Sequence, residues 1–340
     1  MSAGNFSIVL LYNDDSHVKC GDPHEIPAIQ NTVITANYLH TALVSLGYST
    51  EILAVRDSLD DLAHALNEHS PENTLIFNNC DGFDGSNQDA ALIVHRLEEL
   101  GFKHTGATAE AVELCIDKPC AKERLLAHNV PTPRCQVFRS SSEKFSLDFP
   151  AIVKPSVEDG SLGISLDSVV TTCEQLQQQV GLILETYVEP ALVEEFIFGR
   201  ELAVAMLGNQ EIEILPIAEQ DYSLITDPLK HLLTYESKWD TESPYYYNIP
   251  ARVPADLTPA EEKVVRAAAE GSFRAVGLRD FGRVDIRFED GIPYVIDVNE
   301  LPDLATDAGF WNSARAAGMT YPQMVDRIVQ HALQREGLTL

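Results

Sequence analysis

Phe281-Gly-Arg-Val-Asp-Ile-Arg-Phe-Glu-Asp-Gly-Ile-Pro-Tyr-Val-Ile-Asp-Val-Asn299 consists of two alternating runs around Glu289-Asp290-Gly291, the signature of a β-hairpin. Val284, Ile286 and Phe288 on the first run, and Ile292, Tyr294, Ile296 and Val298 on the second, are all even-numbered. One sheet face must carry both sets, because a slip of one residue turns a whole set to the other side. A two-residue Asp-Gly turn pairs Glu289 with Ile292, odd with even. A three-residue loop, 289–291, pairs Phe288 with Ile292 and puts a glycine where positive φ is needed. The expected register is the second, with Arg283 opposite Asp297 and Asp285 opposite Val295. Arg283, Asp285, Asp297 and Asn299 then share the other face. That face is either a solvated patch with an arginine–aspartate pair of little energetic weight, or a magnesium site. Mg²⁺ takes hard oxygens from one or two carboxylates, completed by phosphate and water.

Upstream, residues 6–12 read as a short apolar strand, followed by a polar loop to Pro27. From Ala28 apolar residues recur at Ile29, Val33, Ala36, Leu39, Leu43 and Leu46, one helical face stopped by Gly47. Residues 49–55 and 74–77 read as strands, 59–67 and 90–100 as helices. Alternating strand and helix implies a parallel sheet covered on both faces, with ligands beyond the strand C-termini. The loops 13–27 and 78–88 would then border a site. Residues 105–190 mix a helix (118–129), the proline-rich link Pro131-Thr-Pro133 and strands at 134–138 and 150–154. Strands at 192–198, 201–207 and 211–218 follow. Segment 219–250, with Tyr245, Tyr246 and Tyr247 in a row, is long for a structureless connection and reads as a lid. A helix spans 259–276. The expected class is α/β: a parallel-sheet domain over 1–104, then lobes over 105–190 and 191–340.

The 340 residues are 45 % apolar and 22 % charged, the make-up of a soluble globular chain. Twenty-four basic against 52 acidic residues give −28. That charge opposes nucleic-acid binding, where phosphates must be neutralised, and docking on anionic lipid. The densest apolar run, Ser7 to Tyr12, is far below the roughly 18 residues of a spanning helix. Met1-Ser-Ala-Gly-Asn-Phe6 lacks the basic start and apolar core of a secretion signal. The six cysteines (Cys20, Cys80, Cys115, Cys120, Cys135 and Cys173) form no CxxC pair; reduced thiols in a cytoplasm are expected.

Two further stretches could handle phosphate. Residues 149–154 form a strand ending in Lys154, followed by Val157-Glu-Asp-Gly160-Ser161-Leu-Gly163-Ile-Ser165. A loop with two glycines and two serines can present backbone N–H groups to phosphate, although hairpin turns share this composition. Lys118 opens a helix after Ile116-Asp117; alone, such a lysine is ordinarily solvated.

Taken in order, Asp117-Lys118, Lys154-Pro155 with its glycine loop, Val193-Glu194-Glu195-Phe196-Ile197 with Gly199-Arg-Glu201, Gly282-Arg283-Val-Asp285 and Asp297-Val-Asn299 resemble the ATP-grasp superfamily. Within it the chain looks most like the D-alanine–D-alanine ligase family, from about residue 104 to the end. His104-Thr-Gly-Ala107 resembles that family's Tyr-Thr-Gly turn, and 314–333 its terminal helix. The resemblance implies that the first domain is the one preceding two lobes that grip ATP. It implies that Lys118 and Lys154 hold phosphates, and that Gly160 and Ser161 lie over the γ-phosphate. Glu194 would accept from the adenine amino group, the backbone of Glu195, Phe196 and Ile197 would read the adenine edge, and Glu201 would bind ribose. Lys238 would reach the transferring phosphoryl from the lid. Asp285, Asp297 and Asn299 would hold two Mg²⁺ ions (Mn²⁺ as a substitute), and Arg283 would stabilise the oxyanion. A homodimer is also implied. Such roles suit phosphoryl transfer, which needs positioning and charge neutralisation, supplied by metals and cations, and a lid against water.

The sequence departs from the family at Asp297, where glutamate is usual. It departs further along Glu300-Leu-Pro302-Asp303-Leu-Ala-Thr-Asp307-Ala308, where Asp303 replaces a glycine and Ala308 a serine that binds the second substrate's carboxylate. Asn78-Asn-Cys-Asp81 lacks the family's His-Gly pattern, and Glu25 is a weak match to the glutamate that receives the first substrate's amine. Glu25, Asp81 and Asp303 are the candidate substrate contacts; the alternative reading of Asp303 is a helix cap. The expected activity is an ATP-dependent carboxylate–amine ligase working on amino-acid-like substrates through an acyl phosphate, and not a dedicated D-alanine–D-alanine ligase. The alternatives are that ligase proper, a kinase stopping at the phosphorylated product, and a non-catalytic ATP sensor or scaffold.

Overall fold

The computed structural model describes residues 6–15, 19, 21–56 and 58–338. Met1 to Asn5, Cys20 and part of the 13–27 loop lie outside the described residues. Strands β1 (Ser7–Asn13), β2 (Ser49–Val55), β3 (Thr74–Asn79) and β4 (Lys103–His104) form a parallel sheet in the order β2-β1-β3-β4. Successive side chains of a strand point to opposite faces. Ile8 and Leu10 accordingly join Leu75 and Phe77 beneath Ala36, Leu39 and Leu43 of helix α2 (Asn31–Ser45), which follows a single turn, α1 (Ile26–Ile29). Val9, Leu11 and Ile76 pack the other way, on Leu62 and Leu66 of α3 (Leu59–Leu66) and Ile93 and Leu97 of α4 (Ala90–Glu99). Helices therefore cover both faces, as the alternation predicts.

Helices α5 (Ala109–Ile116) and α6 (Lys118–Ala127) lead into an antiparallel sheet of β5 (Cys135–Phe138), β6 (Ala151–Pro155), β7 (Val169–Val170) and β8 (Ala191–Glu195), ordered β5-β8-β6-β7. Helix α7 (Cys173–Thr186) buries Leu176, Val180 and Ile183 against it. Asp117 accepts from Cys120 N–H and caps α6, which fixes Lys118 at the first helical position. Strand β8 stops at Glu195 rather than 198, and it belongs to this sheet, so the lobe boundary expected at 190/191 falls inside the second lobe's sheet.

The third sheet, β12-β11-β9-β13-β14 with β10 on β9, comprises β9 (Arg200–Gly208), β10 (Ile212–Ile214), β11 (Ala218–Gln220), β12 (Ala251–Arg252), β13 (Asp280–Glu289) and β14 (Ile292–Asn299). The single strand expected over 211–218 is two; Pro216 between them has no N–H to offer a ladder. The lid segment carries short helices α8 (Tyr235–Trp239) and α9 (Pro244–Asn248). Helix α10 (Pro259–Val276) has the expected bounds, set by a Thr258–Glu261 capping box and by Gly277 at φ 80. The terminal helix expected over 314–333 is instead α11 (Gly309–Ala316) and α12 (Tyr321–Arg335), because Gly318 takes φ 86 and Thr320 caps a new helix. Met324, Val325, Ile328, Val329 and Ala332 of α12 enter the same core as Ile8 and Leu10. The C-terminus thus covers the first domain.

The central hairpin corrects the expected register. Asp290 (φ 50) and Gly291 (φ 81) form a two-residue turn with both central residues left-handed, as a type I′ turn requires, and Glu289 pairs with Ile292. The odd–even mismatch is absorbed by a β-bulge. Ile286 pairs with Val295 and Asp285 with Asp297, leaving Ile296 as the extra residue. Near the turn Phe288, Pro293 and Val295 are buried, whereas Ile292 is 41 % exposed. Beyond the bulge Val284 and Val298 face each other inside the core. Arg283, Asp285, Asp297 and Asn299 still share a face, but Asp285 opposes Asp297, and Arg283 opposes Asn299.

Candidate active site

A cavity of about 690 Å³ opens between the three sheets. Its lining includes Asp81, Lys118, Lys154, Gly160, Ser161, Glu194, Glu195, Phe196, Ile197, Glu201, Lys238, Arg283, Asp285, Asp297, Asn299 and Asp303. Of the sixteen candidates and Glu25, only Glu25 is outside the lining.

The floor is the far half of the hairpin. Arg283 Nε and Nη2 donate to the two oxygens of Asp285 at 2.8 and 2.9 Å, and Asn299 Nδ2 donates to Asp285 Oδ2 at 3.2 Å. Cross-strand like charges repel, and the Asp285–Asp297 pair is offset by cations around it. Lys118 Nζ lies 2.5 Å from Asp159 Oδ1 and 3.6 Å from Asp297 Oδ1. Burial opposes ionisation of Asp297, but Lys118, Lys154 and Arg283 outweigh it and hold its carboxyl below the usual range. Lys238 comes in from α8 and hydrogen-bonds none of the described residues. Burial and the neighbouring Arg283 lower its pKa. Glu300, missed by the sequence reading, also lines the cavity; burial and the Asp159 charge push its carboxyl up to about 8.

The glycine loop forms one wall and the lid segment rests on it. Gly160 and Ser161 take φ 64 and 65. Ser161 Oγ donates to Leu233 O (3.0 Å), Trp239 Nε1 to Gly160 O (2.9 Å) and Tyr235 N–H to Ile164 O (2.9 Å). The loop is also tied to the first domain by Glu25. Its carboxylate accepts from Gly163 N–H at 2.9 Å and from Tyr187 Oη at 2.9 Å. Glu25, expected to meet substrate, is thus a buried strut between domain and loop.

At the other end, Glu194 is buried between Lys154 Nζ (3.1 Å) and Lys122 Nζ (3.0 Å). Burial would raise its pKa, yet the two ammonium groups bring it below the ordinary value. Lys122 was not legible as a site residue, since a lysine within a charged helix looks solvated. Glu195 N–H donates to Arg134 O and Phe196 N–H to Pro150 O. Among the described residues, Ile197 N–H is the one of the three without a backbone acceptor. Glu201 Oε2 accepts from Tyr222 Oη (2.6 Å) and pairs with Arg287 (2.8 Å).

The remaining corner is acidic. Asp303 accepts from Asn31 Nδ2 (2.9 Å), Thr35 Oγ1 (3.2 Å) and Ala305 N–H (2.8 Å). It therefore pins the chain after β14 to α2 while its edge lines the cavity. Asp81 opens onto the same corner, where close protein and the charge of Asp303 push its carboxyl up to about 7. Ala308 contributes only a methyl group there.

Fold and cavity together define an ATP-grasp protein. The family described as "D-ala D-ala ligase C-terminus" matches residues 123–330. An uncharacterised protein, y4sG, of Sinorhizobium fredii is 35 % identical over 77 % of this chain and 75 % of its own length. The D-alanine–D-alanine ligase of Desulforamulus reducens is 31 % identical over 70 % of this chain and 76 % of its own. The crystal structure of D-alanine–D-alanine ligase from Bacillus anthracis complexed with ATP superposes with a TM-score of 0.75 at 20 % identity, covering 98 % of this chain and 99 % of that one. The chain belongs to the D-alanine–D-alanine ligase family. It is accordingly an ATP-grasp ligase that forms a C–N bond.

Proposed function

We propose that this protein joins an amino-acid-like carboxylate to an amine at the expense of ATP, through an acyl phosphate, and that it is not dedicated to making D-alanyl-D-alanine. The observation that carries this reading is the convergence of Arg283, Asp285, Asp297 and Asn299 with Lys118, Lys154 and Lys238 on one cavity. The carboxylate oxygen attacks the γ-phosphorus, the bond to the ADP oxygen breaks, and ADP leaves. The amine nitrogen then attacks the acyl carbon, loses a proton, and phosphate departs. Lys118, Lys154 and Lys238 neutralise phosphate charge, and Arg283 faces the oxyanion. Loop and lid exclude water that would hydrolyse the acyl phosphate.

Asp285, Asp297 and Asn299 fit Mg²⁺. They are hard oxygen donors on one face, two of them opposed carboxylates. With only two carboxylates and an amide oxygen, phosphate and water oxygens would complete the shell of such an ion. Bound there, Mg²⁺ would neutralise the triphosphate in a strongly acidic protein. No described helix is long and apolar enough to cross a membrane; a cytoplasmic homodimer is proposed.

The amine side separates this reading from that of a D-alanine–D-alanine ligase, which the relatives' names favour. With Ala308 in place of a hydroxyl and Asp81 and Asp303 on the wall, the corner suits an amine substrate that is cationic or lacks a free carboxylate. The test is ADP release over pairs of amino acids and amines. Release that requires an amine supports a ligase, and preference for D-alanine as both partners would overturn the finer reading. Release without amine indicates a kinase, and no release a sensor. Asp303→Asn should raise the KM for the amine about tenfold, the scale of one charge-assisted contact, with ATP affinity unchanged. An unaltered amine KM would remove Asp303 from recognition.

A further inference from the structure

Strand β14 is the edge of its sheet, and the second lobe takes up its outward backbone groups. Val295 N–H donates to Pro131 O at 2.8 Å, Val295 O accepts from Thr132 Oγ1 at 2.7 Å, and the carbonyl of the bulged Ile296 accepts from Lys154 Nζ at 3.4 Å. Thr132 Oγ1 in turn accepts from Lys122 Nζ at 2.6 Å. Lys122 is 4 % exposed and does not line the cavity. Its ammonium reaches the same Glu194 oxygen as Lys154, at 3.0 against 3.1 Å. A buried carboxylate with a single ammonium partner makes a neutral pair. With two partners the group keeps one net positive charge, and in a poorly solvated wall that difference acts strongly on a nearby anion.

We propose that Lys122 is a positioning residue for the nucleotide: it holds Glu194 from behind, so that the charge of Lys154 remains available to the phosphates. This rests on the reading of Lys154 as a phosphate-binding group. Lys122 itself touches no substrate. Its partner Thr132 couples the arrangement to the backbone two residues before Asp297, which ties the nucleotide wall to the metal strand.

The experiment measures binding of ATP and of adenosine to the wild type and to Lys122→Met, Lys154→Met, Glu194→Gln and the Lys122→Met/Glu194→Gln double variant. Lys122→Met is expected to weaken ATP about tenfold or more and adenosine less than about twofold, since only phosphates sense the lost charge. In turnover the KM for ATP should rise with kcat little changed. The double variant should regain the wild-type ratio of ATP to adenosine affinity, because the carboxylate that would neutralise Lys154 has gone and the adenine contact changes both ligands alike. Equal weakening of ATP and adenosine, or no recovery in the double variant, overturns the proposal. The double variant leaves Lys154 as the one ammonium of this group, held by the Ile296 carbonyl. If Lys122→Met alone does not fold, the double variant, whose wall keeps one net positive charge as the wild type's does, should match the wild type in the ratio of ATP to adenosine affinity, and a fall of about tenfold in that ratio overturns the proposal. A Lys154→Met variant that binds ATP as tightly as the wild type would instead remove the phosphate reading itself.

Discussion

At Lys238 the chain sets a cation into a cavity and gives it no hydrogen-bonding partner among the described residues. Burial and the neighbouring Arg283 disfavour its charge more than Asp285, Glu201 and Asp297 favour it, and in the proposed function the partner it lacks is a phosphate. Lys238→Met should therefore lower kcat by about 10²-fold, the scale of one preorganised charge in a phosphoryl-transfer site, while the melting temperature of the ligand-free protein stays or rises. A fall in both, read by ADP release and thermal unfolding, would make Lys238 structural. Other single residues show how far a sequence speaks at this scale. Asp285 and Asp297 were legible because strand alternation alone puts them on a polar face. Glu25 was not, because its role comes from Gly163 and Tyr187, 138 and 162 residues away. Lys122 was invisible for the same reason: its meaning is its distance from Glu194.

The β13–β14 hairpin is the instructive element. Its turn chemistry and its hydrophobic alternation demand different registers, and the chain satisfies both by inserting one residue, Ile296, between the turn and the polar face. The turn follows Asp290-Gly291, the far half follows the alternation, and the bulge absorbs the difference. Sequence reasoning that assumes one unbroken register must choose, and here it chose against the turn. Gly291→Ala tests the turn in isolation. A Cβ there meets no atom within 4 Å, yet φ is +81. The substitution should cost about 1–2 kcal/mol of stability through backbone strain alone, seen in denaturant unfolding, with kcat and KM unchanged because the site lies beyond the bulge. A change in kcat would mean that the bulge does not insulate the site from the turn.

Across the whole molecule, carboxyls buried where domains meet make stability depend on pH. Glu158, beside Asn87, and Glu189, beside Gln88, join the first domain to the glycine loop and the end of α7. Burial, with the Asp159 charge for the first and the Glu158 charge for the second, pushes them up to about 7 and about 8. Their ordinary value is about 4.3, so the folded protein holds protons that the unfolded chain has released. Between those values stability falls as pH rises. The ligand-free protein should melt higher at pH 6 than at pH 8.5, and Glu189→Gln should flatten the difference; a melting temperature that rises over this range would contradict the assignment. The sequence by itself determined the parallel first domain, the capped helices and the polar face of the hairpin, because periodicity, caps and turn residues act within a few positions of one another. The tertiary structure alone decided the bulge, the strand that carries the second lobe past 190, the splitting of the last helix, and the partners of Glu25, Glu194 and Asp303. Each of those depends on which distant backbone or side chain arrives to fill a hydrogen bond or offset a buried charge, and that is a property of packing, which local pattern does not encode.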